Sequence, residues 1–317
     1  MQRRLILKGL IASASGALTQ CPIALAAPQE GRPLSSAAFP LRMNDALGRS
    51  LLISRAPERI VVVFPSNVEI AYALGLESRI VAIGGRTSWP PAARMKPSVG
   101  GPLGYSAEVV ASFKPDLIVV TPSHMTALGL INPFERIGIP VLVLQHPDLP
   151  SIFRNIGLLG EATGAEIAAK DLIEAMQTQL NMIRQRLQGA PVRRVFLETG
   201  LAGNANLQTI GSDHYAHDAL HWAGGANIFP DLKGAQQVSS EAVFLRDPDV
   251  IISLQQTSDT ATASRLIAQR PGWHTLRAVR TGRVVVLPRG HKLIPGPRQI
   301  DAVADYAQAI HPEKFNS

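Results

Sequence analysis

The sequence predicts an α/β protein made of two Rossmann-like lobes, each with a mostly parallel sheet, joined by one long α-helix. Three observations carry this. The stretch Ser106 to Val120, SAEVVASFKPDLIVV, occurs a second time from Ser239 to Ser253 as SSEAVFLRDPDVIIS, aligned without a gap. In each copy Ser-x-Glu opens a short apolar helix, a charged residue and Pro-Asp stop it, and a buried strand follows, which makes one αβ step. The copies lie about 130 residues apart, about the length of one domain. Between them, Ala169, Leu172, Ile173, Met176, Leu180, Ile183 and Leu187 fall on one helical face of a single long helix.

The elements follow in order. Residues 1–26 form an export signal: Arg3, Arg4 and Lys8 precede an apolar middle and the small-x-small site Ala24-Leu25-Ala26. Arg3-Arg4-Leu5-Ile6-Leu7-Lys8 also has the look of a twin-arginine signal. A lipidated Cys21 is disfavoured, since Gln20 is large for the position before it. Residues 27–57 are expected to be a linker with one edge strand near Phe39 to Met43. The first lobe, 58–162, opens with the strand Arg59 to Pro65, a helix Asn67 to Leu74 ending at Gly75, and the strand Arg79 to Gly84. The first repeat copy, a helix through Phe134 to Ile137 and the strand Val141 to Leu144 complete it. The connecting helix, 163–190, is expected to begin at a capping box of Thr163 and Glu166 and to end before Gly189-Ala190-Pro191. At that length it would run on the order of 35 to 40 Å. The second lobe, 191–317, has strands at Arg194 to Leu197, Leu207 to Ile210, Val250 to Leu254 and Val284 to Leu287, a helix Tyr215 to Trp222 and a last helix Ile300 to Ile310. Strands alternating with helices mean a mostly parallel sheet in each lobe.

Composition excludes several classes. With 46% hydrophobic and 17% charged residues the chain is folded and globular. Removing the leader lowers the formal charge from +7 to +4, because three basic residues leave and no acid does. The remaining basic residues are scattered, which argues against nucleic acid or a membrane surface as partner. The leader holds the only cysteine, so the mature chain has no disulfide and no thiolate metal ligand. Ser212-Asp213-His214 has the residue types of a triad, but contiguous side chains cannot form the relay. No G-x-S-x-G elbow, P-loop or G-x-G-x-x-G is present, so the protein is expected not to be an enzyme.

The phrases RIVVVFPSNVEIAYALGL, the two repeat copies, AGGANIF, and RVVVLP followed by Gly296-Pro297-Arg298 occur in an order that resembles the class III periplasmic substrate-binding proteins of ABC importers for iron chelates, haem and cobalamin. The resemblance covers nearly all of the chain after Arg55. It implies a ligand held in the cleft between lobes, a rigid connecting helix that limits closure, and a permease with its ATPase as partners. It also implies that Glu108 and Glu241, one per lobe, dock on permease arginines. Taken alone, each of these residues is an acid favoured in the first turn of a helix. A monomer with no intrinsic cofactor, located in the periplasm, is expected.

Ligands of open parallel sheets bind beyond the carboxyl ends of the strands. The loops there carry Pro65, Ser66 and Asn67, then Arg86, Thr87, Ser88 and Trp89, then Tyr105 and His124. The second lobe adds Asn204, Asn206, His214, Tyr215, Arg289, His291 and Lys292. Of these, Asn67, Arg86, Trp89, Tyr105, His124, His214, Tyr215, Arg289 and His291 are the binding candidates. Cations beside aromatics suit a large anionic chelate. A ferric siderophore therefore leads, followed by cobalamin, which the resemblance of Trp89-Pro90-Pro91 favours, and then haem. Haem-binding relatives carry a tyrosine several residues before the docking glutamate, whereas Tyr105 lies only three before Glu108. His214, His217 and His221 share one helical face and make a weak bare-metal candidate.

Overall fold

The computed structural model describes residues 39–85, 87–101, 104–121, 131–201 and 207–315. The chain opens with an antiparallel hairpin, β1 (Leu41–Asn44) and β2 (Ser50–Ile53). The first α/β series is β3 (Ile60–Val62), α1 (Pro65–Ala73), β4 (Ile80–Ile83), the short hairpin β5 (Gly100–Gly101) and β6 (Gly104–Tyr105), α2 (Ala107–Ser112), β7 (Leu117–Val120), α3 (Ile131–Glu135) and β8 (Val141–Val143). Two helices follow, α4 (Leu149–Thr163) and α5 (Glu166–Arg186). The second series is β9 (Arg193–Glu198), β10 (Gly200–Leu201), β11 (Leu207–Ile210), α6 (Tyr215–Trp222), β12 (Gly225–Asn227), β13 (Ala235–Val238), α7 (Ser240–Arg246), β14 (Val250–Gln255), α8 (Thr260–Ala268), α9 (Arg277–Arg280), β15 (Val284–Pro288) and α10 (Gln299–Ile310).

Both lobes have one topology. The first parallel sheet runs β4-β3-β7-β8 and the second β12-β9-β14-β15. Each therefore places its opening strand between the second strand and the repeat strand, and the fourth at the edge. Residues of β3, β7 and β8 are all buried, as strands covered by helices on both faces require.

The duplicated stretch folds alike in both copies, down to single hydrogen bonds. Ser106 Oγ accepts from the Val109 amide and Ser239 Oγ from the Ala242 amide, both at 3.3 Å. Each helix stops at a left-handed residue before its proline, Lys114 at φ 49° and Asp247 at φ 34°. Asp116 then accepts from the Arg59 amide and Asp249 from the Arg194 amide, both at 2.8 Å, which ties the repeat strand to the opening strand. The same two arginines reach back to the ends of the repeat helices: Arg59 donates to the Phe113 and Lys114 carbonyls and Arg194 to that of Asp247.

Three expectations need correction. Leu207 to Ile210 does not join the parallel sheet; β11 is the centre of an antiparallel sheet ordered β10-β11-β13, and β12 takes the edge beside β9 instead. Thr163 caps nothing. It ends α4, with its hydroxyl donating to the Leu159 carbonyl at 2.6 Å, and Ala165 precedes α5 without a side-chain cap. The helix across the lobes is consequently one of a pair: α4, with a capping box of Asp148 and Ser151, stops at left-handed Gly164. α5 has 21 residues, about 32 Å, shorter than expected. The two helices touch so closely that a Cβ on Gly160 would lie 2.5 Å from that of Ala169.

The core explains how the lobes are held. One continuous apolar cluster includes Ile60 and Leu117 of the first sheet, Val195 and Ile252 of the second, and Ile156, Met176, Leu220 and Tyr306 from α4, α5, α6 and α10. The opposite faces of the two sheets form separate clusters, around Phe134 in the first lobe and Trp273 in the second. A buried ion pair crosses the same junction: Arg298, at the start of α10, donates to Glu69 of α1 at 3.1 and 2.5 Å, with Glu69 only 2% exposed. Burial raises the Glu69 carboxyl above its ordinary value despite this pairing.

Candidate ligand-binding cleft

The carboxyl ends of the two parallel sheets face a shared cleft. At the end of β3, Phe64 has a left-handed φ of 85°, uncommon for a bulky residue, and starts α1. Its ring lies 6.2 Å from that of Tyr105. From there the cleft divides into two compartments that meet at Tyr215 and Leu293.

The first compartment, about 490 Å³, lies between the lobes. Phe64, Pro65, Ser66, Thr121, Gln145 and His146 line it from the first lobe, and Tyr215, Leu293, Ile294 and Pro295 from the second. All but Tyr215, which opens α6 after β11, lie in the stretches that follow β3, β7, β8 and β15. The second, about 520 Å³, is a polar recess against the antiparallel sheet, with Thr199, Gln208, Gln236, Gln237, His214 and Arg289 on its walls. Among the described residues Arg289 is its only formal charge, and no carboxylate lines either compartment.

Hydrogen bonds fix the polar groups of the first compartment. Asn67 donates to the Val63 carbonyl at 2.8 Å and shares a hydrogen bond with the Thr121 hydroxyl at 3.1 Å. His146 Nε2 lies 3.3 Å from Asn67 Oδ1 and 3.4 Å from Ser66 Oγ, and its Nδ1 lies 3.0 Å from the Asn155 amide nitrogen. In the second compartment His214 caps α6, accepting from the Ala216 amide at Nδ1 over 3.1 Å, and stacks on Tyr215 at 4.2 Å. Burial lowers both imidazoles, His146 and His214, from 6.5 to about 4. It pushes the Tyr215 phenol well up, against a smaller pull from Arg289, and the Tyr105 phenol up as well. Near neutral pH the described residues of the cleft thus present neutral imidazoles and phenols beside the Arg289 guanidinium.

The structure brings His214, Tyr215 and Arg289 into the cleft and places Tyr105 against Phe64 at its edge. Asn67 is fully buried and its amide is taken up within the protein, so it braces the floor and does not face a ligand. Trp89 lines neither compartment; the Arg298 guanidinium stacks over it at 4.6 Å. His291 lines neither compartment; its Nε2 is buried without a partner, and burial with Lys292 and Arg298 lowers it to about 4. Arg86, His124, Asn204 and Asn206 lie outside the described residues. His217 hydrogen-bonds Asn227 at 3.3 Å and His221 is exposed, so the three histidines of α6 do not converge as a metal site. Among the described residues no three metal-ligating side chains cluster. Glu108 and Glu241 are exposed in the first turns of α2 and α7.

Thr121, Gln145, His146, Thr199 and the three glutamines were not anticipated. Thr121, Gln145, His146 and Thr199 stand just beyond strand ends and obey the rule that selected Ser66. The glutamines depend on an antiparallel sheet that periodicity did not assign.

Two parallel α/β lobes of the same topology, facing each other across a cleft of ligand size, define a bilobal solute-binding protein. The chain belongs to the periplasmic binding protein family, which it matches over residues 60–289. It is 30% identical over 282 residues to the uncharacterised ABC transporter substrate-binding lipoprotein YvrC of Bacillus subtilis, covering 87% of each chain. It is 26% identical over 283 residues to a cobalamin-binding protein of Halobacterium salinarum, covering 86% of this chain and 75% of that one. Among solved structures, a possible iron-binding protein of Staphylococcus epidermidis aligns with a TM-score of 0.71 at 25% identity, over 81% of this chain and 99% of that one. A periplasmic haem-binding protein of Pseudomonas aeruginosa aligns with a TM-score of 0.67 at 28% identity, over 81% and 93%. The chain is an ABC transporter substrate-binding protein of the iron, haem and B12 type, a solute binder that works with a permease and an ATPase. The same relationships imply export.

Proposed function

We propose that the protein captures a bulky, uncharged, amide-bearing metal chelate in the interlobe cleft, a corrinoid first, and delivers it to an inner-membrane permease. The observation that carries this is the chemistry of the lining among the described residues: Gln208, Gln236 and Gln237 with a single cation, Arg289, beside an apolar compartment. Primary amides both donate and accept, and so match a ligand whose rim is itself made of amides. The apolar compartment covers the flat body of such a ligand. The cobalamin-binding relative supports the choice.

This reverses the order expected from the loop residues. An anionic catecholate siderophore calls for several cations, and among the described residues the recess offers one. Haem calls for an axial ligand, and both imidazoles of the cleft are held by hydrogen bonds at Nδ1, with the Asn155 amide and the Ala216 N–H. An uncharged ferric hydroxamate is the second reading, favoured by the same lack of charge. In this account the protein acts as a monomer in the periplasm after export by its leader, in which the two arginines suit the twin-arginine route. It performs no catalysis, and Glu108 and Glu241 meet the permease. Residues 58–162 and 191–317 are the lobes that close on the chelate about 163–190.

A thermal-shift panel tests the choice of ligand: cyanocobalamin, a ferric trihydroxamate, a ferric catecholate, haemin and free Fe³⁺ or Zn²⁺. A ligand at 100 times its dissociation constant stabilises by about 2.7 kcal/mol. Cyanocobalamin is expected to give the largest shift. A shift with the catecholate or haemin alone would overturn the reading.

A further inference from the structure

We infer that the two imidazoles of the cleft are locked as Nε2–H tautomers, so that they offer donors but no metal-ligating lone pair and the cleft rejects metal centres that need an axial histidine from these rings. Resting on the reading of a metal-chelate cargo, this adds a criterion of selection: the metal must arrive needing no imidazole from His146 or His214.

Both locks follow from hydrogen bonds whose direction is fixed. The Asn155 side chain is 1% exposed, and its amide nitrogen lies 2.7 Å from the Gln145 carbonyl. A carbonyl only accepts, so that atom is the NH₂ group and not the oxygen. Its second hydrogen is directed at His146 Nδ1, 3.0 Å away. His214 Nδ1 faces the backbone N–H of Ala216 at 3.1 Å, a donor that no side-chain flip can reverse. A neutral imidazole that accepts at Nδ1 must carry its proton at Nε2.

A metal-binding histidine has the opposite arrangement. It donates its distal N–H to a carboxylate or carbonyl and leaves the other nitrogen bare. Here the distal partners are donors. The Nε2–H of His146 is directed at Asn67 Oδ1 and Ser66 Oγ, which leaves the serine hydroxyl proton available to the cleft. No acceptor among the described residues hydrogen-bonds His214 Nε2, whose N–H is therefore a donor for the oxygen atoms of a ligand. Ligating a metal through either ring would require moving its proton to Nδ1 and facing it against another N–H. Burial keeps both rings neutral near pH 7, which holds them in this form. Asn155 is a positioning residue: it acts through His146.

The experiment is a two-bond ¹H–¹⁵N correlation of the histidine rings in ligand-free, ¹⁵N-labelled protein at pH 7.5, followed by haemin titration. His146 and His214 are expected to show the Nε2–H pattern, and haemin is expected to give no histidine-ligated Soret shift. An Nδ1–H pattern at either ring overturns the inference, as does a histidine-ligated haem spectrum lost in His146→Ala or His214→Ala. In Asn155→Asp the carboxylate accepts from Nδ1–H and bares Nε2. The His146 signals should then invert, and haemin should bind at least tenfold more tightly than to the wild type. Inversion without that gain would contradict the filter. Should Asn155→Asp fail to fold, the wild-type spectrum and titration still decide. Because the wild-type spectrum is recorded without cargo, Nε2–H rings in a protein that ignores cyanocobalamin would sink the ligand proposal and leave the lock standing.

Discussion

His146 and His214 are buried without becoming charged, and this gives the protein a dependence on pH that can be measured. As pH falls below about 6.5 the unfolded chain takes up a proton at each ring, while the folded chain refuses it until about pH 4. The folded-state values are depressed, so stability is complete above 6.5 and drains away towards 4, by about 1.4 kcal/mol per pH unit per histidine. Each ring contributes on the order of 3 kcal/mol across the window. His214→Asn keeps a good helix cap and removes one titration. Its urea midpoint should fall less steeply between pH 6.5 and 4.5 than that of the wild type, and an unchanged slope would show that His214 is not held neutral. At this scale the sequence was legible only in part. His214, Tyr215 and Arg289 follow from the rule that loops at strand ends hold the ligand. Trp89 and Asn67 obey the same rule and yet line neither compartment: Arg298 stacks on one, and Val63 with Thr121 bind the other. What a loop side chain touches is set partly by residues far along the chain, Thr121 for Asn67 and Arg298 for Trp89, and no local pattern records them.

The duplicated αβ element was the most legible feature of the chain, since its signals are local: a serine cap, an apolar helix face, a proline stop and a buried strand. Its duplication presents Glu108 and Glu241 in equivalent, exposed first turns. A hydrogen bond from its own backbone N–H, and then one from the Ser239 side chain, hold the Glu241 carboxyl below its ordinary value, so it stays charged. Charge reversal of both, Glu108→Lys with Glu241→Lys, should cut cellular uptake at least tenfold while leaving the affinity of the purified protein for its chelate within about twofold. Weakened ligand binding instead would place the pair in the cleft. The helix pair was less legible. An apolar face continues from α4 towards α5, and the break between them is a single left-handed Gly164, which a helical pattern tolerates on paper. The antiparallel strands escaped notice because β10 has two residues and β13 is almost wholly exposed, so neither carries an apolar alternation.

Across the whole molecule, one apolar core runs through both lobes behind the cleft, and the buried Glu69–Arg298 pair pins the same junction. Opening the lobes widely would expose that core and strip a buried charge of its partner, at a cost of several kcal/mol, so closure on a ligand is confined to small angles. A site built this way must be largely formed before the ligand arrives, which suits a large rigid chelate. The central claim is that such a chelate sits where the two compartments join, between Tyr215 and Leu293. Isothermal titration of cyanocobalamin into wild-type protein and into Leu293→Trp, whose indole would block that junction, tests it directly. The account predicts one site per wild-type chain and an affinity loss of at least a hundredfold in the variant, with the thermal midpoint of the empty protein little changed. Binding of equal strength to both proteins, or none to the wild type, would contradict it.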